Sequence, residues 1–295
     1  MRQTPLVLLA AGLAAGGATT LSAQIRASEL ATVSQTVDGT EIKIEYSRPR
    51  ARGREALFGG EVKWNEVWTP GANYATTLEV NRDIRLHGHP VPKGKYSMWL
   101  VVKQTGPWIM VLDPRPRLFH MAHPDSTADQ IRYPVNTEVG PRTEVLTFSF
   151  PEVRPSGTTM VLQWGTVRVP FRIDVTPSYN MAMSAAKAGP YIGKYAFEWT
   201  EKEPGDTVPL SFTVTLRDTL LMGEWSKEPW PGANPIVMVP IKEDWFIPAF
   251  LEQGEIHDVE KEMVLEFAHP KTGEKARGFE VRGTGDSLWA TARRK

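Results

Sequence analysis

The chain has 295 residues, with 34 basic and 34 acidic side chains and no cysteine. Residues 24–177 carry 19 basic and 16 acidic groups, residues 178–295 carry 14 and 18, so neither half builds a field that would hold nucleic acid or an anionic membrane. Without cysteine there is neither a disulfide framework nor a lipidated anchor, and stability must come from core burial.

Met1-Arg2, an apolar run from Pro5 to Ala15 and small residues up to Leu21-Ser22-Ala23 have the form of a secretory signal peptide. Residues 1–23 are expected to be removed by cleavage after Ala23. The apolar run is too short and too rich in glycine and alanine for a membrane span. The product would be periplasmic or extracellular, with about 270 residues, enough for two cores.

The densest block follows. Ser47-Arg48-Pro49, Gly53-Arg54, Phe58-Gly59-Gly60, Val67-Trp68, Gly71-Ala72-Asn73, Ala75-Thr76-Thr77 and Pro92-Lys93-Gly94-Lys95-Tyr96-Ser97 alternate turn formers with aromatics and arginines. Around and beyond it, period-two patterns predict strands at 41–46, 75–80, 96–102, 108–112, 144–150, 159–164 and 166–175. The last two are expected to form a hairpin about Gly165. Residues 120–141, interrupted by Pro124 and Pro134, read as a long loop with one edge strand. Seven short strands with turns between them predict an antiparallel β-sandwich over residues 24–177.

Residues 178–190 form the one helical pattern, a linker ending at Gly189-Pro190. Strand patterns resume at 194–199, 212–216, 220–224, 236–240, 244–248, 263–267, 278–281 and 287–293. Eight short strands joined by brief turns predict an up-and-down meander, closed or nearly closed, over residues 191–295. Five tryptophans in each half supply two separate cores. The fold class is therefore all-β, a sandwich followed by a meander. Trp68-Thr69-Pro70-Gly71-Ala72-Asn73 is echoed by Trp230-Pro231-Gly232-Ala233-Asn234, and both Pro-Gly pairs are expected to form the centre of a type II turn.

On the quoted motifs, residues 27–175 resemble a family of exported bacterial β-proteins catalogued only as a domain of unknown function. Thr69 stands where that pattern has an arginine, and Tyr74 where it has an acidic residue. The resemblance implies no activity. On Tyr191-Ile192-Gly193-Lys194-Tyr195, Thr213-Val214-Thr215-Leu216, Phe246-Ile247-Pro248 and Gly278-Phe279-Glu280-Val281, the C-terminal half resembles small lipocalin-like β-domains appended to secreted serine hydrolases. That likeness implies an accessory or binding role.

Chemistry-bearing groups are sparse. Ser184-Ala185-Ala186-Lys187 has the Ser-x-x-Lys spacing, but the partner motifs of that chemistry are missing and a linker helix accounts for it better. His87-Gly88-His89 and His120-x-x-His123, with Asp113 or Asp125, could complete a zinc shell, yet both pairs fall in turn or loop and read as structural. Glu55, Glu61 and Glu66 surround a glycine-rich turn, where solubility and ion pairing are their commoner use; glycoside hydrolysis would need two of them across a cleft. Trp64 lies in the same block, and Trp99 and Trp108, inside strand patterns, read as core or cross-strand pairs.

The expectation is a non-enzymatic binding or accessory protein without cofactor or metal. Its ligand surface is assigned to Arg48, Arg52, Arg54, Trp68, Asn73 and Tyr74, where aromatic faces and polar edges suit a small molecule such as a carbohydrate. A secreted hydrolase of carbohydrate or ester, and a structural subunit contacting an envelope protein, remain as alternatives.

Overall fold

A computed structural model describes residues 26–201, 209–268 and 274–295; the expected signal segment lies outside the described residues. The first unit contains β1 (Glu29–Val37), β2 (Thr40–Arg48), β3 (Val67–Trp68), β4 (Thr77–Val80), β5 (Ile84–Leu86) and β6 (His89–Val91). It continues with β7 (Gly94–Val101), β8 (Trp108–Asp113), β9 (Ile131–Val135), β10 (Glu138–Arg154) and β11 (Gly157–Val175). One sheet runs β1-β2-β4-β7-β8-β9 with β3 paired to β7, and a second runs β10-β11-β5-β6.

Alternate side chains from both sheets meet in one core. Ile42, Ile44, Leu78, Met98, Leu100, Met110 and Leu112 come from the first sheet, and Leu146, Phe148, Leu162, Phe171 and Ile173 from the second. Each such residue contributes about 1.5–3 kcal/mol on burial, so the period-two pattern determines which sheet face turns inward. The sequence places a strand within the loop of residues 120–141, and β9 is that strand, on the edge of the first sheet beside β8. Trp99 lies on the opposite face with Val111 and Ala75, under Leu118.

Three hairpins turn on two left-handed residues each: Asp38-Gly39, His87-Gly88 and Gln253-Gly254. Two positive φ angles in a two-residue loop match the twist of the flanking strands. The hairpin expected at Gly165 is not formed. β11 runs straight through it, with Gly165 at φ 59° where the pairing with β10 shifts register. An isolated glycine inside a strand pattern here marks a bulge rather than a reversal. A β-carbon at Gly165 would lie 2.7 Å from Leu57 Cδ1, so close packing also requires glycine.

Helix in the connecting segment is confined to α1 (Ala185–Ala188), capped by the Ser184 hydroxyl, which accepts from the Lys187 amide. Before it the chain is extended. The Met183 amide donates to Thr219 O, and Tyr179 and Met181 cover apolar side chains on the outside of the second unit.

That unit contains β12 (Gly193–Trp199), β13 (Leu210–Arg217), β14 (Leu220–Trp225), β15 (Ile236–Lys242), β16 (Trp245–Glu252), β17 (Glu255–Val259), β18 (Val264–Phe267), β19 (Gly278–Arg282) and β20 (Leu288–Arg294). Pairings β15–β16 and β12–β20 close an eight-stranded antiparallel barrel, with β17 a flap on β16. Its interior is filled by Tyr195, Phe197, Phe212, Trp225, Phe246, Phe267 and Phe279, mostly edge to face. Edge-to-face contact lets the positive rim of one ring meet the negative face of the next.

The two units touch. Asp38, in the β1–β2 turn, accepts from both the amide and the hydroxyl of Ser178. Glu255 on β17 accepts from Ser156, at the tip of the β10–β11 hairpin, and pairs with Arg154.

Candidate functional site

The chain leaves β2 and crosses from one sheet to the other. The Leu146 amide donates to Pro49 O at 2.9 Å and the Ala51 amide to Glu144 O at 2.7 Å, so residues 49–51 join β10. A tight turn follows: the Arg54 amide donates to Ala51 O, and Arg52 and Gly53 have φ 52° and 72°. This crossover closes one edge of the sandwich and places the arginine run at its mouth.

Each arginine then meets a different environment. Arg48 donates through Nε to Leu146 O (3.2 Å) and through Nη2 to Thr147 Oγ1 (3.0 Å), pinning the two sheets together. Arg54 folds back onto Ala51 O and Arg50 O, and its Nη1 lies 2.6 Å from Glu61 Oε2. Arg52 reaches Ala27 O at 3.4 Å through Nη2. Arg50 is exposed, and among the described residues its guanidinium has no hydrogen bond or ion pair.

The same mouth holds an aromatic cluster. Trp68 on β3 and Trp164 on β11 lie nearly parallel, 6.0 Å between centroids and 13° between planes. Phe58 meets Trp68 and Trp164 edge-on and tilts against Trp108. Trp164 is 3 % exposed, and its Nε1 is buried with no acceptor. A buried donor left unpaired costs about 1–3 kcal/mol.

The third side comes from residues 71–72 and 120–121, which Asn73 holds in place. Asn73 holds φ 65° and donates to Ser47 Oγ and Ser28 O. Its carbonyl accepts from the His120 amide at 2.9 Å and lies 2.8 Å from His120 Nδ1. Because a carbonyl only accepts, Nδ1 is the donor in that contact.

Together these segments enclose a cleft of about 370 Å³, lined among others by Arg50, Arg52, Arg54, Trp68, Trp164 and His120. Of the six residues assigned from sequence, Arg52, Arg54 and Trp68 line it. Arg48 and Asn73 do not: their polar groups are spent tying strands and loops together. Tyr74 stands beside the cleft, 53 % exposed, edge-on to Phe119 at 5.9 Å and under Arg117 at 5.1 Å. Neighbouring Thr69 is buried, donating to Met98 O and accepting from the Thr76 amide.

Sequence reasoning missed Arg50, Trp164 and His120 as lining residues. Arg50 lay inside the quoted arginine run and was legible there. Trp164 and His120 come from segments brought in by long-range pairing, which leaves no local trace.

The remaining candidates have structural roles. Trp99 donates to Ser97 Oγ and Trp108 to Lys103 O, both from the core. His89 stacks on Tyr133 at 4.9 Å, and His87 packs against the same ring. Among the described residues, no group of three or more histidines and carboxylates is placed to hold a metal ion. Glu61 is paired with Arg54, and Glu66 accepts the Lys63 amide. A larger hollow, about 870 Å³, lies between sandwich and barrel. Its Asp38 and Glu255 are occupied in joining the two units.

A partly exposed indole and guanidinium groups on one concave surface can receive a ring-shaped molecule with polar edges. No helix among the described residues is long and apolar enough to cross a membrane. No curated protein and no solved structure matches the chain. Residues 28–173, which span most of the sandwich that holds the cleft, match the model of a family described as Protein of unknown function (DUF2911).

Proposed function

We propose that this is an exported, non-enzymatic binding module that takes a carbohydrate-like ligand in the cleft at the sandwich mouth. The observation carrying this reading is the convergence of the partly exposed Trp68, backed by the buried Trp164 stacked on it, with Arg50 and Arg52 on one concave surface. Stacking surface below and hydrogen-bond donors at the rim are what a sugar ring requires. The arginines act as donors, and the carboxylates Glu61 and Glu66, which also line the cleft, are engaged with Arg54 and the Lys63 amide. Export rests on the N-terminal apolar segment read from sequence.

Calorimetric titration against neutral and acidic mono- and disaccharides tests it. Trp68→Ala and Arg50→Ala should each weaken binding about tenfold, a loss of roughly 1.4 kcal/mol. Among the described residues the Arg50 guanidinium has no partner to lose, so its variant reports on binding without disturbing the fold. Wild-type protein inert to every sugar, or both variants binding as the wild type does, would retire the reading.

A further inference from the structure

We propose that the ligand is an acidic oligosaccharide, longer than one ring, lying across the cleft and onto the exposed Tyr74–Phe119 platform; this rests on the binding reading above.

Charge comes first. Three arginines and two carboxylates, Glu61 and Glu66, line the cleft, leaving one positive charge in excess; Arg54 pairs with Glu61, whereas among the described residues the Arg50 guanidinium has no partner and that of Arg52 touches one carbonyl at 3.4 Å. The cleft therefore carries cationic donors that the protein leaves uncommitted. A guanidinium binds a carboxylate or sulfate through two parallel hydrogen bonds, which a neutral hydroxyl does not supply.

Length comes second. Tyr74 is 53 %, Phe119 46 % and Met121 76 % exposed, a contiguous apolar surface of a kind that marks interaction sites. It is held rigidly: the Ala75 amide donates to Leu118 O, the His120 amide to Asn73 O, and Tyr74 pairs with Phe119 as a short antiparallel bridge. It is also continuous with the cleft. Phe119 lies 4.5 Å from the His120 ring, and His120 and Met121 both line the cleft. A single sugar ring occupying the cleft leaves the platform bare, whereas a chain covers both. Arg117, over Tyr74, adds a cation at the far end.

The experiment is titration of the full mature protein with oligogalacturonides of one, two and four units, heparin-derived tetrasaccharide, neutral cellotetraose and tetraglutamate. Acidic tetrasaccharides should bind roughly tenfold tighter than the monomer and than cellotetraose. In Tyr74→Ala/Phe119→Ala the advantage of the tetramer over the monomer should vanish. In Arg50→Ala the preference for charged over neutral chains should shrink, and melting curves confirm that both variants fold. Equal affinity for neutral and acidic chains, or affinity independent of length, overturns the inference and leaves the binding module standing. Tetraglutamate bound as tightly as the uronates overturns it in favour of a peptide. No binding to any sugar removes both.

Discussion

Arg115 grips Asp113 through both carboxylate oxygens, Nε to Oδ1 at 2.8 Å and Nη2 to Oδ2 at 2.7 Å, where β8 ends. The Arg115 amide adds a bond to Oδ1, and Gln130 donates to Oδ2 at 2.7 Å. The carboxylate is fully buried, while Arg115 reaches solvent. Gln130 also holds Asp125 O and accepts from Arg132. The pair thus ties β8 to the segment that returns as edge strand β9.

That grip gives the sandwich an acid limit. The hydrogen bonds from Arg115, outweighing burial, bring Asp113 down from 3.8 to about 2. The lowered group stabilises the fold fully above pH 4 and loses that contribution as pH falls through 2. A shift of this size corresponds to roughly 2 kcal/mol. Asp113→Asn should therefore cost roughly 2 kcal/mol at pH 7 and little near pH 2, measured by urea unfolding across that range. A penalty independent of pH would show that shape, not charge, matters there.

Tyr133 offers the opposite case. Its ring stacks on His89, but its hydroxyl is buried with no partner among the described residues, and burial raises its phenol above the ordinary range. Removing an unpaired buried hydroxyl relieves a desolvation cost. Tyr133→Phe should raise the stability of the sandwich by about 1 kcal/mol, seen as a higher urea midpoint at unchanged slope. A lower midpoint would mean the hydroxyl is satisfied in solution.

At one end of the barrel, Arg294 is the stitch. Its guanidinium donates to Ala276 O, Ile192 O, Pro190 O and the Tyr195 hydroxyl, and lies over the Tyr195 ring at 4.8 Å. Lysine cannot span four acceptors from one planar head. Arg294→Lys should destabilise the barrel by roughly 2–3 kcal/mol. Burial lifts Tyr195 to about 12 despite Arg294, and burial also raises Tyr191, which donates to Asp244. Raised phenols stabilise the fold fully below pH 10 and progressively less above it. Alkaline unfolding of the barrel should begin there, followed by phenolate absorbance.

What the sequence disclosed, and what it hid, follows from the range of the forces involved. All eight barrel strands were visible because period-two patterning is local and one face of each is buried. β1 and β17 escaped notice: β1 alternates in burial, but its inward side includes the small Ala31 and the polar Gln35, and β17 is a flap with little burial. At the cleft, the arginine turn and Trp68 were legible as a cluster in one segment. Arg48 and Asn73 looked the same in sequence, and only the crossing of sheets shows that they are fasteners. Trp164 reached the site because a bulge at Gly165, read from sequence as a turn, lets β11 continue past Leu57.

The two Pro-Gly motifs make the same point and can be tested directly. At Trp230-Pro231-Gly232-Ala233 the Ala233 amide donates to Trp230 O and Gly232 has φ 85°, the expected type II turn. At Thr69-Pro70-Gly71 the Gly71 amide donates instead to Thr69 O, a three-residue turn, and the left-handed residue is Asn73. Gly71 is needed for proximity: a β-carbon there would lie 2.8 Å from Thr76 Oγ1 and 3.2 Å from Ser47 O. A β-carbon on Gly232 meets nothing within 4 Å. Gly232→Ala should therefore cost only the left-handed backbone penalty, about 1 kcal/mol. Gly71→Ala should cost more, roughly 2–3 kcal/mol, because Thr76 and Ser47 are both buried and bonded in place. It should also weaken ligand binding, since Gly71 lines the cleft. Thermal unfolding of the two variants side by side decides it, and equal losses would mean that both glycines serve the same turn after all.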